Sequence, residues 1–230
     1  EGKAPKPEKG AKELFRPVML AHPVEDRDLE RLEPADYAAE WKWDGIRVQA
    51  VSERGITRLY SRTGDDVSGA FPDVVAAMEF SGASDGELLV GDPRDRTGTF
   101  SDLQQRLNRK AVSARMMQQY PAFVRAYDLL QDDDEDLRAL AFGERRRRLE
   151  TFVANLDPAR FDLSPLAAFG DWDVLDGMRK SPPHPIIEGV MLKRRDSPYV
   201  AGRRTGLWYK WKRDPLLVDC VLMYAQRGSG

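Results

Sequence analysis

Between residues 37 and 213 the chain sets its apolar residues in short period-two runs, and the helical patterns between them follow no regular order. This pattern constrains the fold more than any other feature. The runs at 37–51, 57–61, 86–90, 123–130, 187–193 and 208–213 read as strands. Helices are expected at 72–80, with a proline in its first turn, at 101–120, capped by Ser101, and at 143–156, where Leu149, Phe152, Val153 and Leu156 share a face. A shorter helix is expected at 172–180. Strands and helices without βαβ alternation imply an α+β fold with antiparallel sheets, not a doubly wound parallel sheet.

A chain of 230 residues with 41% hydrophobic content can bury one substantial core, and no Gly- or Pro-rich linker divides its middle. Residues 1–13 carry almost nothing to bury and read as a flexible leader, which leaves 14–215 as one domain. The apolar stretch 216–225 reads as a strand that begins a further domain. Cys220 is the single cysteine, so an internal disulfide is excluded and a reducing compartment is expected. No segment reaches the ~18 apolar residues of a membrane span and no secretory signal opens the chain, so the expected location is cytoplasmic.

A net charge of −2 argues against a uniformly basic nucleic-acid coat, and any polyanion site must come from local clustering. Such a cluster runs from Lys193 to Arg213 and is opposed only by Asp196. The acidic run 132–136 reads as a solvated loop, and Arg145 to Arg148 as the solvated face of a helix. His22 and His184 are far apart in sequence and Cys220 has no ligand-spaced partner, which argues against zinc. Met116, Met117 and Met191 read as core fillers.

The densest chemistry lies at 40–47, Glu-Trp-Lys-Trp-Asp-Gly-Ile-Arg. Period-two geometry puts Glu40, Lys42 and Asp44 on one face and Trp41 and Trp43 on the other. Gly45 permits a tight turn that would bring Arg47 back toward the same pocket. On these residues alone the segment could equally be an amphipathic edge strand with its charges in water.

The rest of the chain adds context. Lys42 to Arg47 resembles the K-x-D-G-x-R signature of covalent nucleotidyltransferases, the superfamily of DNA ligases, RNA ligases and mRNA capping enzymes. Five further segments resemble the family's elements in the family's order: Ser61-Arg62-Thr63-Gly64, Asp85-Gly86-Glu87, Tyr127-Asp128, the run from Glu188 to Lys193, and the run from Trp208 to Lys212. The tryptophans beside Lys42 and the terminal W-x-K-x-K are most similar to bacterial ATP-dependent DNA ligases.

The resemblance implies an ATP-grasp-like nucleotidyltransferase fold, with antiparallel sheets and flanking helices around a nucleotide cleft, and ATP with Mg²⁺ as cofactors. Lys42 would be the nucleophile that takes AMP, with Lys210 and Lys212 on one strand face contacting phosphate. A lysine attacking phosphorus must be neutral, and nearby positive charge disfavours its ammonium form. By the same resemblance Glu40 would meet the adenine amino group, Tyr127 would stack on the base, and Arg47 and Arg62 would hold phosphate or sugar. Glu87 would bind ribose and would count with Glu188 as a metal carboxylate. The Lys193 to Arg204 cluster would face DNA phosphates, and the partner would be nicked double-stranded DNA bound by a monomer.

Glu144-Arg145 resembles a minor family element framing the adenine pocket. Family members follow this domain with an OB-fold, so 216–230 are expected to begin one, and a chain without it should self-adenylylate slowly. RNA ligation, capping, or a catalytically silent nucleic-acid-binding module are the competing functions.

Overall fold

The structure is a computed structural model that describes residues 14–25, 27–94, 97–107, 109 and 111–214. The expected leader 1–13, the apolar run 216–225 and Cys220 lie outside the described residues. Two short strands, β1 (Met19–Leu20) and β2 (His22–Pro23), precede β3 (Tyr37–Trp43), β4 (Ile46–Glu53) and β5 (Ile56–Ser61). Next come α1 (Pro72–Val75), β6 (Gly82–Val90), α2 (Phe100–Gln104), α3 (Ala114–Gln119), β7 (Ala122–Asp132), β8 (Glu135–Asp136) and α4 (Phe142–Ala154). The chain continues through β9 (Phe161–Leu163), β10 (Leu166–Ala167), α5 (Trp172–Lys180), β11 (Ile187–Arg194), β12 (Gly202–Arg203) and β13 (Trp208–Lys212).

Two mixed sheets dominate. One has the order β10-β3-β11-β13-β2, and the other β5-β4-β6-β7-β8 with β9 beside β7. Neighbours within each sheet are antiparallel, except for the parallel pairs β13·β2 and β7·β9. The α+β expectation therefore holds. The expected strand 37–51 is two strands, because the chain leaves the first sheet at Asp44-Gly45 and enters the second at Ile46. Gly45 lies so close to β6 that a Cβ on it would stand 2.5 Å from the Leu88 carbonyl oxygen.

Period two then sorts the side chains. In the first sheet Ala39, Val190, Leu192 and Tyr209 pack with Leu175 of α5, while the opposite face looks into the space between the sheets. In β4, Val48 and Ala50 join a core with Leu88 and Val90 of β6 and Val74 of α1, and Val51 on the other face joins Met19, Tyr60 and Trp208 between the sheets.

The helices differ from expectation in extent. Residues 101–120 form two short helices, and the first is capped by Thr99 in a reciprocal box with Asp102 rather than by Ser101. The helix at 72–80 closes after Val75. Met116 and Met117 are half-buried on α3, which buries none of its residues, so they are not core fillers. The acidic run 132–136 is a β7–β8 hairpin with exposed side chains at Asp133, Asp134, Glu135 and Asp136. Among the described residues no helix is long and apolar enough to cross a membrane.

Candidate active site

A cleft of about 480 Å³ opens between the two sheets, and Glu40, Lys42, Arg47, Arg62, Glu87, Tyr127, Glu188, Lys210 and Lys212 all line it. Strand register explains the first wall. Met191 of β11 pairs with Glu40 of β3 and Lys210 of β13, and Gly189 pairs with both Lys42 and Lys212. These alternate residues share the face that looks into the cleft. Glu188 is out of phase with them and would point toward α5 in a regular strand. A bulge between Ile187 and Gly189 turns it to the cleft face. The bulge depends on Gly189, whose φ is +151° and whose Cβ would lie 2.2 Å from the Trp211 carbonyl oxygen. Met191 lines the cleft and also packs against the core between the sheets, as expected of a filler.

The Glu188 carboxylate is shared by two lysines. Lys42 Nζ pairs with Oε1, and Lys212 Nζ stands 2.9 Å from Oε2. Burial pulls the Glu188 carboxyl upward, but hydrogen bonds and charge from Lys212 and Lys42 outweigh it and hold the group below its ordinary value. Burial lowers the Lys210 ammonium, and the cations Arg203, Lys212, Lys42 and Arg62 lower it further. The cleft floor is thus a crowded cationic surface suited to phosphate.

The second sheet supplies the opposite wall through Arg47, Glu87 and Tyr127. Arg47 donates from Nη1 to the Met19 carbonyl at 2.6 Å and from Nη2 to Asp85 at 2.7 Å and to the Tyr199 hydroxyl at 3.1 Å. Its Nε is buried without a partner. The Tyr199 hydroxyl donates to the same Asp85 oxygen, Oδ2, at 2.5 Å, and Gln49 holds the other, Oδ1, at 2.9 Å. Arg62 is exposed at the mouth, on a turn tied by the Ser61 hydroxyl and Asp65. Lys193 Nζ stacks over the Tyr127 ring, 4.4 Å from its centroid.

Glu87 has an unusual charge state. Burial raises its carboxyl from 4.5 to about 7 against the pull of Lys42, Arg47 and the Gly45 N–H. Between those values the folded chain keeps a proton that the unfolded chain has released, so its contribution to stability declines as pH rises through the window. Glu87→Gln is expected to flatten the fall in melting temperature of the ligand-free chain across this range. An unchanged slope would remove Glu87 as its cause.

Several expectations need correction. Asp44 does not share the Glu40 and Lys42 face, because it sits exposed in the bend that leaves the sheet. Trp41 packs toward α5, whereas Trp43 lies against Arg125, 4.0 Å from its guanidinium carbon. Lys193 cannot face DNA, since it is buried with its Nζ 3.0 Å from Glu40. Arg195, Arg203 and Arg204 in that cluster are exposed. Arg145 and Arg146 are buried rather than solvated, while Arg147 is exposed. Arg145 grips Asp128 through two bonds of 2.8 and 3.0 Å and also reaches the Leu140 and Ser197 carbonyls.

Sequence reasoning also passed over Leu20 and Ala21, which line the cleft, and Tyr199 and Gln49, which brace it. Leu20 and Ala21 carry no sequence signal, because a two-residue strand and the single residue that follows it have no periodicity. Gln49 was readable, since it is on the same β4 face as Arg47.

Known proteins resemble the chain in sequence and in fold. Residues 18–212 match the family model of the ATP dependent DNA ligase domain. A probable DNA ligase of Koribacter versatilis is 32% identical over 94% of this chain and 42% of that protein. A DNA ligase of Archaeoglobus fulgidus is 31% identical over 95% of this chain and 40% of that protein. The chain thus spans about two fifths of the length of these curated relatives. Among solved structures, the ligase domain of M. tuberculosis LigD superposes with a TM-score of 0.66 at 30% identity, covering 87% of this chain and 60% of that one. The Chlorella virus DNA ligase-adenylate shares the fold, with a TM-score of 0.64 at 18% identity over 86% of this chain and 69% of that one. A family model that takes in every cleft residue from Leu20 to Lys212, with relatives of like sequence and like fold, places the chain in the family of ATP-dependent DNA ligase domains.

Proposed function

We propose that residues 14–215 are the adenylation domain of an ATP-dependent DNA ligase that takes AMP from ATP onto Lys42 and passes it to the 5′-phosphate of nicked DNA. The single observation that carries this reading is the row Lys42–Glu188–Lys212 on the cleft floor, flanked by Lys210 and facing Arg47 and Tyr127. A silent binding module has no chemical use for a lysine placed in that row.

Lys42 Nζ, freed from Glu188 and deprotonated, attacks the α-phosphorus. A P–N bond forms as the P–O bond to pyrophosphate breaks. A 5′-phosphate oxygen of the nick then attacks the same phosphorus and releases Lys42, and the 3′-hydroxyl finally displaces AMP to seal the strand for repair or recombination. Lys210, Lys212 and Arg62 neutralise phosphoryl oxygens, while Tyr127 and Glu40 hold the base. Among the described residues no group of three or more His, Cys, Asp or Glu could hold a metal, so the site offers no protein-only cage. Glu188, with Glu87, suits Mg²⁺, which takes one or two carboxylates with water and phosphate oxygens and supplies charge neutralisation there.

Exposed Arg203 and Arg204 near the mouth would meet DNA phosphates. The same proposal takes in a cytoplasmic monomer and an OB-fold beginning within 216–230. The OB-fold is supported by the resemblance, and the greater length of the relatives leaves room for further domains.

Intact-protein mass spectrometry tests the core of the reading. Incubation with ATP and Mg²⁺ is expected to add one AMP to the chain, and Lys42→Ala is expected to abolish the adduct. An adduct of equal yield in Lys42→Ala, or none from the wild-type chain even when joined to a downstream OB-fold, would overturn it.

A further inference from the structure

Glu40 is the most buried carboxylate lining the cleft, at 2% exposure. Three donors converge on it, from β11, from α4 and from the link between β9 and β10. Lys193 of β11 lies 3.0 Å from Oε2, Arg146 of α4 lies 3.4 Å from Oε1, and the Ser164 hydroxyl lies 3.4 Å from Oε2. Arg146 does not line the cleft, yet its own position is doubly fixed. It donates to Glu150 at 2.9 Å and to the Ser164 carbonyl at 2.8 Å. Lys193 also donates to the Tyr127 carbonyl at 3.0 Å, so one ammonium ties Glu40 to the aromatic platform beside it.

A carboxylate paired with two cations can only accept hydrogen bonds. Beside an aromatic wall, such an acceptor selects a planar base by what the base edge presents. An exocyclic amine donates to it, whereas a carbonyl at the same position sets oxygen against carboxylate oxygen with no hydrogen between them.

We propose that Arg146 is a positioning residue for base selection: from α4 it fixes Glu40 as an acceptor on the cleft wall, so that the site takes 6-amino purines and rejects 6-oxo purines. This rests on the cleft being the nucleotide site of the proposed function. Arg146 acts through Glu40 without touching the nucleotide. Without it the carboxylate loses its partner on Oε1, the oxygen that Lys193 does not reach.

The test is calorimetric binding of ATP and of inosine triphosphate in EDTA, so that no bond is made to Lys42. The wild-type chain is expected to prefer ATP by about 100-fold. In Arg146→Met that preference should shrink by roughly tenfold or more, chiefly through weaker ATP binding, with the inosine nucleotide little affected. Arg146→Lys, which keeps the charge without the planar fork, should fall between the two. Glu40→Gln, whose amide can donate to a carbonyl, should bring the ratio near one.

No preference in the wild-type chain would overturn the proposal. So would a wild-type ratio in Arg146→Met, or in Arg146→Lys if the methionine variant does not fold. Because binding is read without chemistry, loss of base preference and failure to form the Lys42 adduct are separate outcomes.

Discussion

Arg145→Met is expected to destabilise the domain by about 3–5 kcal/mol, the largest stability effect of any single charge removal proposed here. Arg145 and Asp128 are both shut from water, and no part of either side chain is exposed. Methionine fills much of the volume but leaves the Asp128 carboxylate without its fork, and it leaves the Leu140 and Ser197 carbonyls without their donor. An uncompensated buried charge is the costly product. Replacing both partners, as Arg145→Met with Asp128→Leu, should recover much of the loss, because neither charge is then stranded. Arg147 on the same helix pairs with Glu144 in the open, and Arg147→Ala should move stability by less than about 0.5 kcal/mol. Urea denaturation of the four proteins checks this ordering. A loss below about 1 kcal/mol in Arg145→Met would show that the pair is not the anchor its geometry implies.

Gly45→Ala is expected to slow Lys42 adduct formation by about 100-fold, although alanine brings no charge and little bulk. The new methyl would lie 2.5 Å from the Leu88 carbonyl oxygen and 2.7 Å from the Leu89 side chain. Leu89 can rotate, but the Leu88 oxygen belongs to the β6 backbone and cannot step aside. The corner between β3 and β4 must therefore move away from β6. Lys42 and Arg47 lie within three residues of that corner, so they would shift against Glu188 and Asp85. A displacement on the order of 1 Å costs about two orders of magnitude when the reacting atoms must be aligned. Single-turnover mass spectrometry reads the rate directly. Adding Leu89→Ala should not rescue it, and a Gly45→Ala rate within threefold of wild type would sink the argument.

The two sites differ in how readable they were. Gly45 was readable, because a glycine between a run of charges and an arginine calls for a turn, and the turn is there. Arg145 and Arg146 were also partly readable, since Phe142, Arg145, Arg146, Leu149 and Val153 form the single buried stripe of α4. Four consecutive arginines suggested a solvated face, and charge was given more weight than helical phase. Burial of two of them is possible only because Asp128 and Glu40 wait on other elements, and no local pattern announces that.

Glu188 shows the same division. The resemblance of the run from Glu188 to Lys193 to a family element pointed it to metal chemistry. Strict alternation would have aimed it at α5, and the bulge at Gly189 turned it toward Lys42 and Lys212. Leu20 and Ala21 had no signal at all, because the two-residue strands that hold Leu20 and flank Ala21 borrow their conformation from the sheets they join.

The sequence by itself determined the α+β class, the order of the main strands along the chain and the face shared by Glu40 and Lys42, and its motifs, through the family they resemble, named the charged residues that line the cleft. The first three follow from period-two patterning, which is local. Only the tertiary structure decided which charges are paired and buried, where Lys193 and Arg146 point, and how Glu188 is shared between two lysines. Those outcomes depend on which distant groups meet in a low-dielectric interior, where each charge must find its partner across the fold.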